Sequence, residues 1–398
     1  MENRVILIIA CLLAGLAVHG ESTAKTDGRA QPMPHEPAFC ATTLPAYGSA
    51  DTRDEALRVP EFVRPAFDCW MRDTYVTLGP DGYYYMTGTT ADPDRIFPGQ
   101  RHCWDWNDGL YLWRSADLKE WDALGRIWSL DDDGTWQKEP RIYADDEKYA
   151  RKSINGDPMD NWFRAVWAPE LHYIESVGNW FIVACLNDSA SGKGSFILKS
   201  TTGRPEGPYV NIEANSDGPL FPNIDGSLFE DEDGTVYFVG HNHYIARMKE
   251  DMSGFAEELR LLKETPYDPE PYIEGAFIFK YQGKYHLVQA IWSHRTNDGD
   301  TYVEKPGVTS KKTRYSYDCI ISVADNVYGP YGERYNAATG AGHNNLFRDR
   351  DGNWWATMFF NPRGAQAAEY ETTCRPGLIP MIYENGRFAP NHSFDLKK

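Results

Sequence analysis

Basic residues are scarce in this chain: 40 Lys and Arg stand against 58 Asp and Glu, a net charge of −18 over 398 residues. So acidic a balance leaves no broad basic face for nucleic acid or an anionic membrane. Beyond residue 20 no run is apolar enough to span a bilayer. Long 3.6-residue periodicity is missing too; the best helical stretch, MKEDMSGFAEELRLLKE at 248–264, is short. The seven cysteines include no pair at zinc-ligand spacing. No Ser/Pro-rich linker splits the body, which argues for one large β domain.

The first twenty residues read as a secretory signal peptide: Arg4, an apolar stretch from Val5 to Val18, and small Gly20 at the cleavage end. Residues 21–62 form a polar, Pro-rich leader, and residues 63–390 the folded body. The expected location is therefore secreted or periplasmic. Removal of the signal leaves Cys40, Cys69, Cys103, Cys185, Cys319 and Cys374. An even count in an exported chain suggests disulfide bonds. The competing reading makes Cys185 and Cys319 reduced residues buried in strands.

What the body has is hairpins. LGPDGYYYMTG, YIESVGNWFIVACL, FEDEDGTVYFVGH, FKYQGKYHLVQA and FRDRDGNWWATMF each join two apolar or aromatic strands through a tight glycine turn. Such turns need residues that tolerate positive φ, and the flanking aromatics suit a pleated surface. The turn glycines Gly82, Gly178, Gly234, Gly283 and Gly352 lie 96, 56, 49 and 69 residues apart. Two of these intervals approach a four-stranded propeller blade of roughly 40–50 residues; the others imply insertions at about 91–164 and 293–314. The expected fold is an all-β, five-bladed β-propeller, with a two-sheet sandwich as the alternative.

Four of the hairpins carry an ionisable residue nine positions before the turn glycine: Asp73, Asp225, Glu274 and His343. The fifth has Pro169 there, with Glu170 beside it. In a ring of blades, one offset means one mouth of a central channel. Carboxyls gathered in one cleft are the equipment of glycoside hydrolysis: one activates water and one protonates the leaving oxygen. The acid has to stay protonated near neutral pH, which an adjacent anion and an apolar setting favour. Asp68 is the nearest rival to Asp73. Aromatic residues make up 14% of the chain. Those beside polar groups, Trp104, Trp106 and Trp292, are candidates to stack on sugar faces. KKTR at 311–314 reads as a solvated loop.

The segments MRDTYVTLGPDGYYYMTGTT, VWAPELHYI, NIDGSLFEDEDGTVYFVG, YIEGAFIFKYQGKYHL and GAGHNNLFRDRDGNWW resemble glycoside hydrolase family 43, inverting enzymes built on a five-bladed propeller. The resemblance implies Asp73 as general base, Asp225 as the residue that tunes and orients, and Glu274 as general acid. It departs at Thr74, where the family commonly has proline. It places Trp167 and Glu170 on the pocket wall and makes Arg295 and Arg314 candidates for binding the terminal sugar. No cofactor is required for the chemistry, but the resemblance puts His343 near a structural calcium. Its substrates are polysaccharides or oligosaccharides carrying arabinofuranose, xylose or galactose, and exo action is the expectation. The alternatives are a non-catalytic carbohydrate-binding propeller and a retaining, fructosidase-like enzyme.

Overall fold

In the computed structural model, residues 62–90, 107–138, 142–143, 162–163, 165–186, 194–241, 244–262, 273–295, 301–303, 314–360 and 374–397 are described, with backbone alone for 142–143, 162–163, 292–295, 301–303 and 314–316. The signal segment, residues 21–61 of the leader, Trp104, Trp106 and most of the KKTR run lie outside them.

Strand pairing gives five antiparallel sheets, one per sequence hairpin. A short strand β1 (Arg64–Pro65) precedes the first blade, which is β2 (Arg72–Leu78), β3 (Tyr84–Thr89), β4 (Gly109–Ser115) and β5 (Asp122–Ser129). A two-stranded ribbon, β6 (Ile142–Tyr143) with β7 (Trp162–Phe163), sits in the first insertion. Blade 2 is β8 (Val166–Ile174), β9 (Asn179–Leu186), β10 (Ser195–Ser200) and β11 (Tyr209–Asn211). Blade 3 is β12 (Gly226–Glu230), β13 (Val236–Gly240), β14 (Tyr244–Arg247) and β15 (Arg260–Leu261). Blade 4 holds β16 (Ile273–Tyr281), β17 (Lys284–Arg295), β18 (Thr301–Val303), β19 (Arg314–Ala324) and β20 (Tyr335–Ala338). Blade 5 is β21 (Leu346–Arg348), β22 (Trp354–Phe360), β23 (Arg375–Glu384) and β24 (Arg387–Pro390).

The ring closes through blade 5. Its outer position is shared: β1 pairs with β23 at Gly377 and Leu378, and β24 pairs with β23 from Met381 to Glu384. Both ends of the body thus cover one strand edge that would otherwise be open. Arg64 reinforces the joint by donating to the Leu396 carbonyl at 3.1 Å and lying over the Trp355 ring.

The apolar interior consists of wedges between blades. Tyr85 meets Trp180 edge-on at 5.3 Å between blades 1 and 2, Phe229 meets Tyr285 at 6.0 Å between blades 3 and 4, and Phe279 meets Trp354 at 5.3 Å between blades 4 and 5. Flat, large side chains fill such tapered gaps, which explains much of the aromatic content. The 248–264 stretch forms no helix. Asp251 accepts from the Ser253 N–H, Met252 takes positive φ, and Met248 bridges to Phe255. Local Asp turn bonds and Gly254 outcompete helical pairing there.

Cys185, Cys319 and Cys374 are free, buried thiols. Three disulfides among the six cysteines are therefore excluded; Cys40 and Cys103 lie outside the described residues. Strands β9 and β19 bury Cys185 and Cys319 as small apolar residues.

Candidate active site

Each innermost strand is broken near its start by one residue in the left-handed backbone region: Asp73 (φ 50°), Ala168 (φ 45°), Asp225 (φ 60°), Gly275 (φ 62°) and His343 (φ 50°). Asp and His enter this region more readily than most side chains, and glycine does so freely. In blades 1, 2 and 4 the break coincides with a register shift in the pairing of the first two strands. Bulges of this kind re-aim side chains. The five kinks occupy equivalent places, and every inner strand runs from its kink toward its hairpin.

This equivalence refines the nine-residue offset. From each kink, six residues lead to the last bonded position before the turn: Gly79, Ile174, Asp231, Tyr281 and Asp349. The turn glycine then follows after three residues in blades 1, 3 and 5, four in blade 2 and two in blade 4. Asp73, Asp225 and His343 are therefore true equivalents. Glu274 stands one residue before its kink, in line with Arg72, Trp167, Ile224 and Gly342.

Two partners fix the Asp73 carboxylate. The Thr89 hydroxyl donates to Oδ2 at 2.6 Å, and His343 Nδ1 lies 3.2 Å from Oδ1. Thr89 in turn accepts from the Ala168 N–H at 2.8 Å, which ties the arrangement to blade 2. Burial disfavours charge on Asp73, yet the imidazolium of His343, with Arg72 and the Thr89 hydroxyl, outweighs it and holds the carboxyl down at about 2. Asp225 is 5% exposed and accepts from the Gly275 N–H at 3.1 Å. Burial pushes its carboxyl up to about 7, against the pull of His343 and with the repulsion of Glu274 and Asp73 added. His343 itself loses solvation, but Asp225 and Asp73 raise it to about 10. One fixed cation thus sits among three acids gathered from blades 1, 3 and 4.

Glycine at 275 is required twice. Its φ of +62° is unfavourable for other residues, and a Cβ there would lie 2.8 Å from the His343 ring. Glu274 meets Tyr317 from β19, whose hydroxyl donates to Oε1 at 2.6 Å.

The remaining candidates divide. Trp167 is partly exposed and shares the level of Glu274. Glu170 is 7% exposed, lies two residues below the kink of blade 2, and pairs with His172 Nε2 at 2.9 Å. Asp68, the rival base, accepts from Arg375 Nε at 2.6 Å. Arg295 and Arg314 are register partners at the ends of β17 and β19, and Trp292 pairs in register with Tyr317; their side chains, except that of Tyr317, lie outside the described residues. Thr89, Tyr317, Arg72 and Gly275 are site residues that the sequence reading missed.

The calcium expectation at His343 finds no support. Calcium takes oxygen ligands, whereas the His343 imidazole turns Nδ1 to Asp73 Oδ1 at 3.2 Å. Among the described residues no group of three or more His, Cys, Asp or Glu is arranged to hold a metal ion. The channel below the kinks contains a cavity of about 400 Å³ lined by Tyr75, His172, Phe277 and Phe279 among others. None of the three acids lines it, so it is separate from the carboxylate cluster. No helix among the described residues is long and apolar enough to cross a membrane.

Comparison with known proteins places this geometry. The profile described as "Glycosyl hydrolases family 43" matches residues 64–388. A beta-D-galactofuranosidase of Aspergillus niger is 28% identical over 321 residues, covering 75% of this chain and 80% of that protein. A thermostable family-43 glycoside hydrolase superposes with a TM-score of 0.53 at 19% identity, over 81% of this chain and 93% of that one. An endo-arabinase from Bacteroides thetaiotaomicron gives 0.53 at 17% identity, over 83% and 100%. At these identities the structural likenesses speak to the fold alone.

Proposed function

Because the chain belongs to glycosyl hydrolase family 43 and is a glycoside hydrolase, we propose that it is an exported, inverting, exo-acting enzyme that removes terminal furanose residues from polysaccharides or oligosaccharides. The observation that carries the reading is the gathering of Asp73, Asp225 and Glu274, from three different blades, around His343. Asp73, fixed by Thr89 and His343, is held ionised, as a base requires.

Asp73 accepts a proton from water as that water attacks the anomeric carbon. Glu274 gives its proton to the glycosidic oxygen as the C–O bond breaks, so Glu274 ends ionised and Asp73 protonated. Solvent exchange resets both. Such a pair works across roughly 6.5–9.5 Å, which leaves room for the water. Asp225 acts from beside them: it anchors the Gly275 N–H and thereby the backbone that carries Glu274. Its negative charge, when present, favours a protonated neighbour.

Support for a furanose comes from the similarity to a galactofuranosidase. β-D-Galactofuranosides and α-L-arabinofuranosides share one ring configuration and differ only in the exocyclic group on C4, so a site shaped for that ring can take both. The signal-like start of the chain supports export. The test is a panel of aryl α-L-arabinofuranoside, β-D-galactofuranoside and β-D-xylopyranoside, with Asp73→Asn as control. Furanoside turnover that falls by about 10²–10⁴-fold in the variant is expected. Cleavage confined to internal bonds of polymers would overturn the exo assignment, and preference for the xyloside would overturn the furanose.

A further inference from the structure

Tyr317 reaches the acid from a distant part of the fold. It lies on β19, the third main strand of blade 4, and is 6% exposed. Its hydroxyl is 2.6 Å from Glu274 Oε1, within the range of a phenol bonded to a carboxylate. Burial first, and then the charges of Glu274, Asp225 and Asp73, push the phenol well above its ordinary value, so it remains a donor at every working pH.

Three features hold this ring in place. The Gly342 N–H donates to the Tyr317 carbonyl at 2.8 Å, joining blade 5 to blade 4. A Cβ at Gly342 would lie 2.6 Å from Cγ and Cδ1 of the Tyr317 ring, so the missing side chain is the space that the ring uses. On the other side Phe359 packs at 6.1 Å between ring centroids, and the Arg72 guanidinium lies 4.7 Å from the Phe359 centroid. Gly342 and Arg72 occupy in their own blades the place that Glu274 occupies in blade 4.

We infer that Tyr317 is a positioning residue for the proton-donating carboxyl: its hydroxyl fixes Oε1 of Glu274 and so orients the group that gives its proton to the leaving oxygen. As the proton departs for the glycosidic oxygen, negative charge grows on Glu274, and the phenol bond strengthens with it. Tyr317 keeps its own proton throughout. A donor that binds the ionised form better than the neutral one assists proton release.

The inference rests on Glu274 being the acid, and the experiment separates the two claims. Tyr317→Phe keeps the ring and removes only the hydroxyl. Its kcat/KM is to be measured on an oligosaccharide, whose leaving group needs protonation, and on a dinitrophenyl glycoside, whose leaving group does not. The oligosaccharide should lose roughly 10- to 100-fold, the scale of one hydrogen bond to a charged group, and the dinitrophenyl substrate less than about 3-fold. The basic limb of the oligosaccharide pH profile should move upward, because the carboxylate has lost a donor. Gly342→Ala, which displaces the ring without touching the hydroxyl, should reproduce the same selectivity. Glu274→Gln runs alongside and should spare the dinitrophenyl substrate. Equal losses on both substrates in Tyr317→Phe, with a selective Glu274→Gln, overturn the positioning role alone. An unselective Glu274→Gln overturns the acid assignment and this inference with it.

Discussion

Replacing His343 by Gln should move the acidic limb of activity. In the intact protein Asp73 sits at about 2, and among the groups that lower it His343 is the largest. Burial acts in the opposite direction. Without the imidazolium, burial is opposed only by Arg72 and the Thr89 hydroxyl, and the carboxyl returns to about its ordinary 3.8, a change of nearly two units, or about 2.5 kcal/mol. The profile of kcat/KM against pH reports the free enzyme's essential groups. For the native chain the base should stay ionised down to the pH where the fold fails. For His343→Gln an acidic limb should emerge at about pH 4, while activity at pH 7 changes by less than about 10-fold, since Asp73 is still ionised there. Stability supplies a second readout. His343 is raised to about 10, against roughly 6.5 when unfolded. Its stabilising contribution is complete below about 6.5 and is lost as pH rises through 10. Urea midpoints of the native chain should carry that alkaline loss, and those of the variant should lack its share. An acidic limb that stays in place in His343→Gln would refute the reasoning.

Two other substitutions probe the same frame. Gly275→Ala forces a side chain into φ +62° and to within 2.8 Å of the His343 ring; a loss of about 1–3 kcal/mol in stability, with a fall in kcat, is expected from denaturation and kinetics, and native behaviour would show that the kink relaxes freely. His286 is buried against Phe279, Tyr383 and Phe388, and burial lowers it to about 4. The unfolded chain takes up that proton below roughly 6.5 and the folded one does not, so stability falls as pH drops from 6.5 to 4. His286→Phe should flatten this slope in urea titrations at pH 7 and pH 5, and an unchanged slope would count against the burial argument.

The hairpins were legible because their turns are written in local chemistry: Asp-Gly, Gly-Asn and Gly-Lys demand positive φ, and the strands around them are aromatic and β-branched. The common offset led to the end of the ring where Asp73, Asp225, Glu274 and His343 gather. It was counted from the turn glycine, however, and so carried the turn lengths with it. That is why Glu274 and Pro169 each stand one residue from the kink. Tyr317 could not be read. It joins Glu274 across 43 residues, through the register of β16, β17 and β19, and no local pattern specifies that register. Thr89 is similar, reaching Asp73 from the far end of the neighbouring strand. The resemblance puts Glu170 on the pocket wall; the structure adds its contact with His172, two residues on and on the same strand face, which the resemblance did not supply. The offset already favours Asp73 over Asp68, and the structure adds that Asp68 is engaged by Arg375 while Asp73 faces Thr89 and His343.

The anomeric configuration of the first sugar released tests the central claim most directly, that Asp73 directs water to the face opposite the bond protonated by Glu274. Proton NMR of an aryl furanoside digest, recorded before mutarotation, should show the inverted anomer at the earliest time point. A retained anomer would mean that a carboxylate had attacked the sugar and would contradict the account.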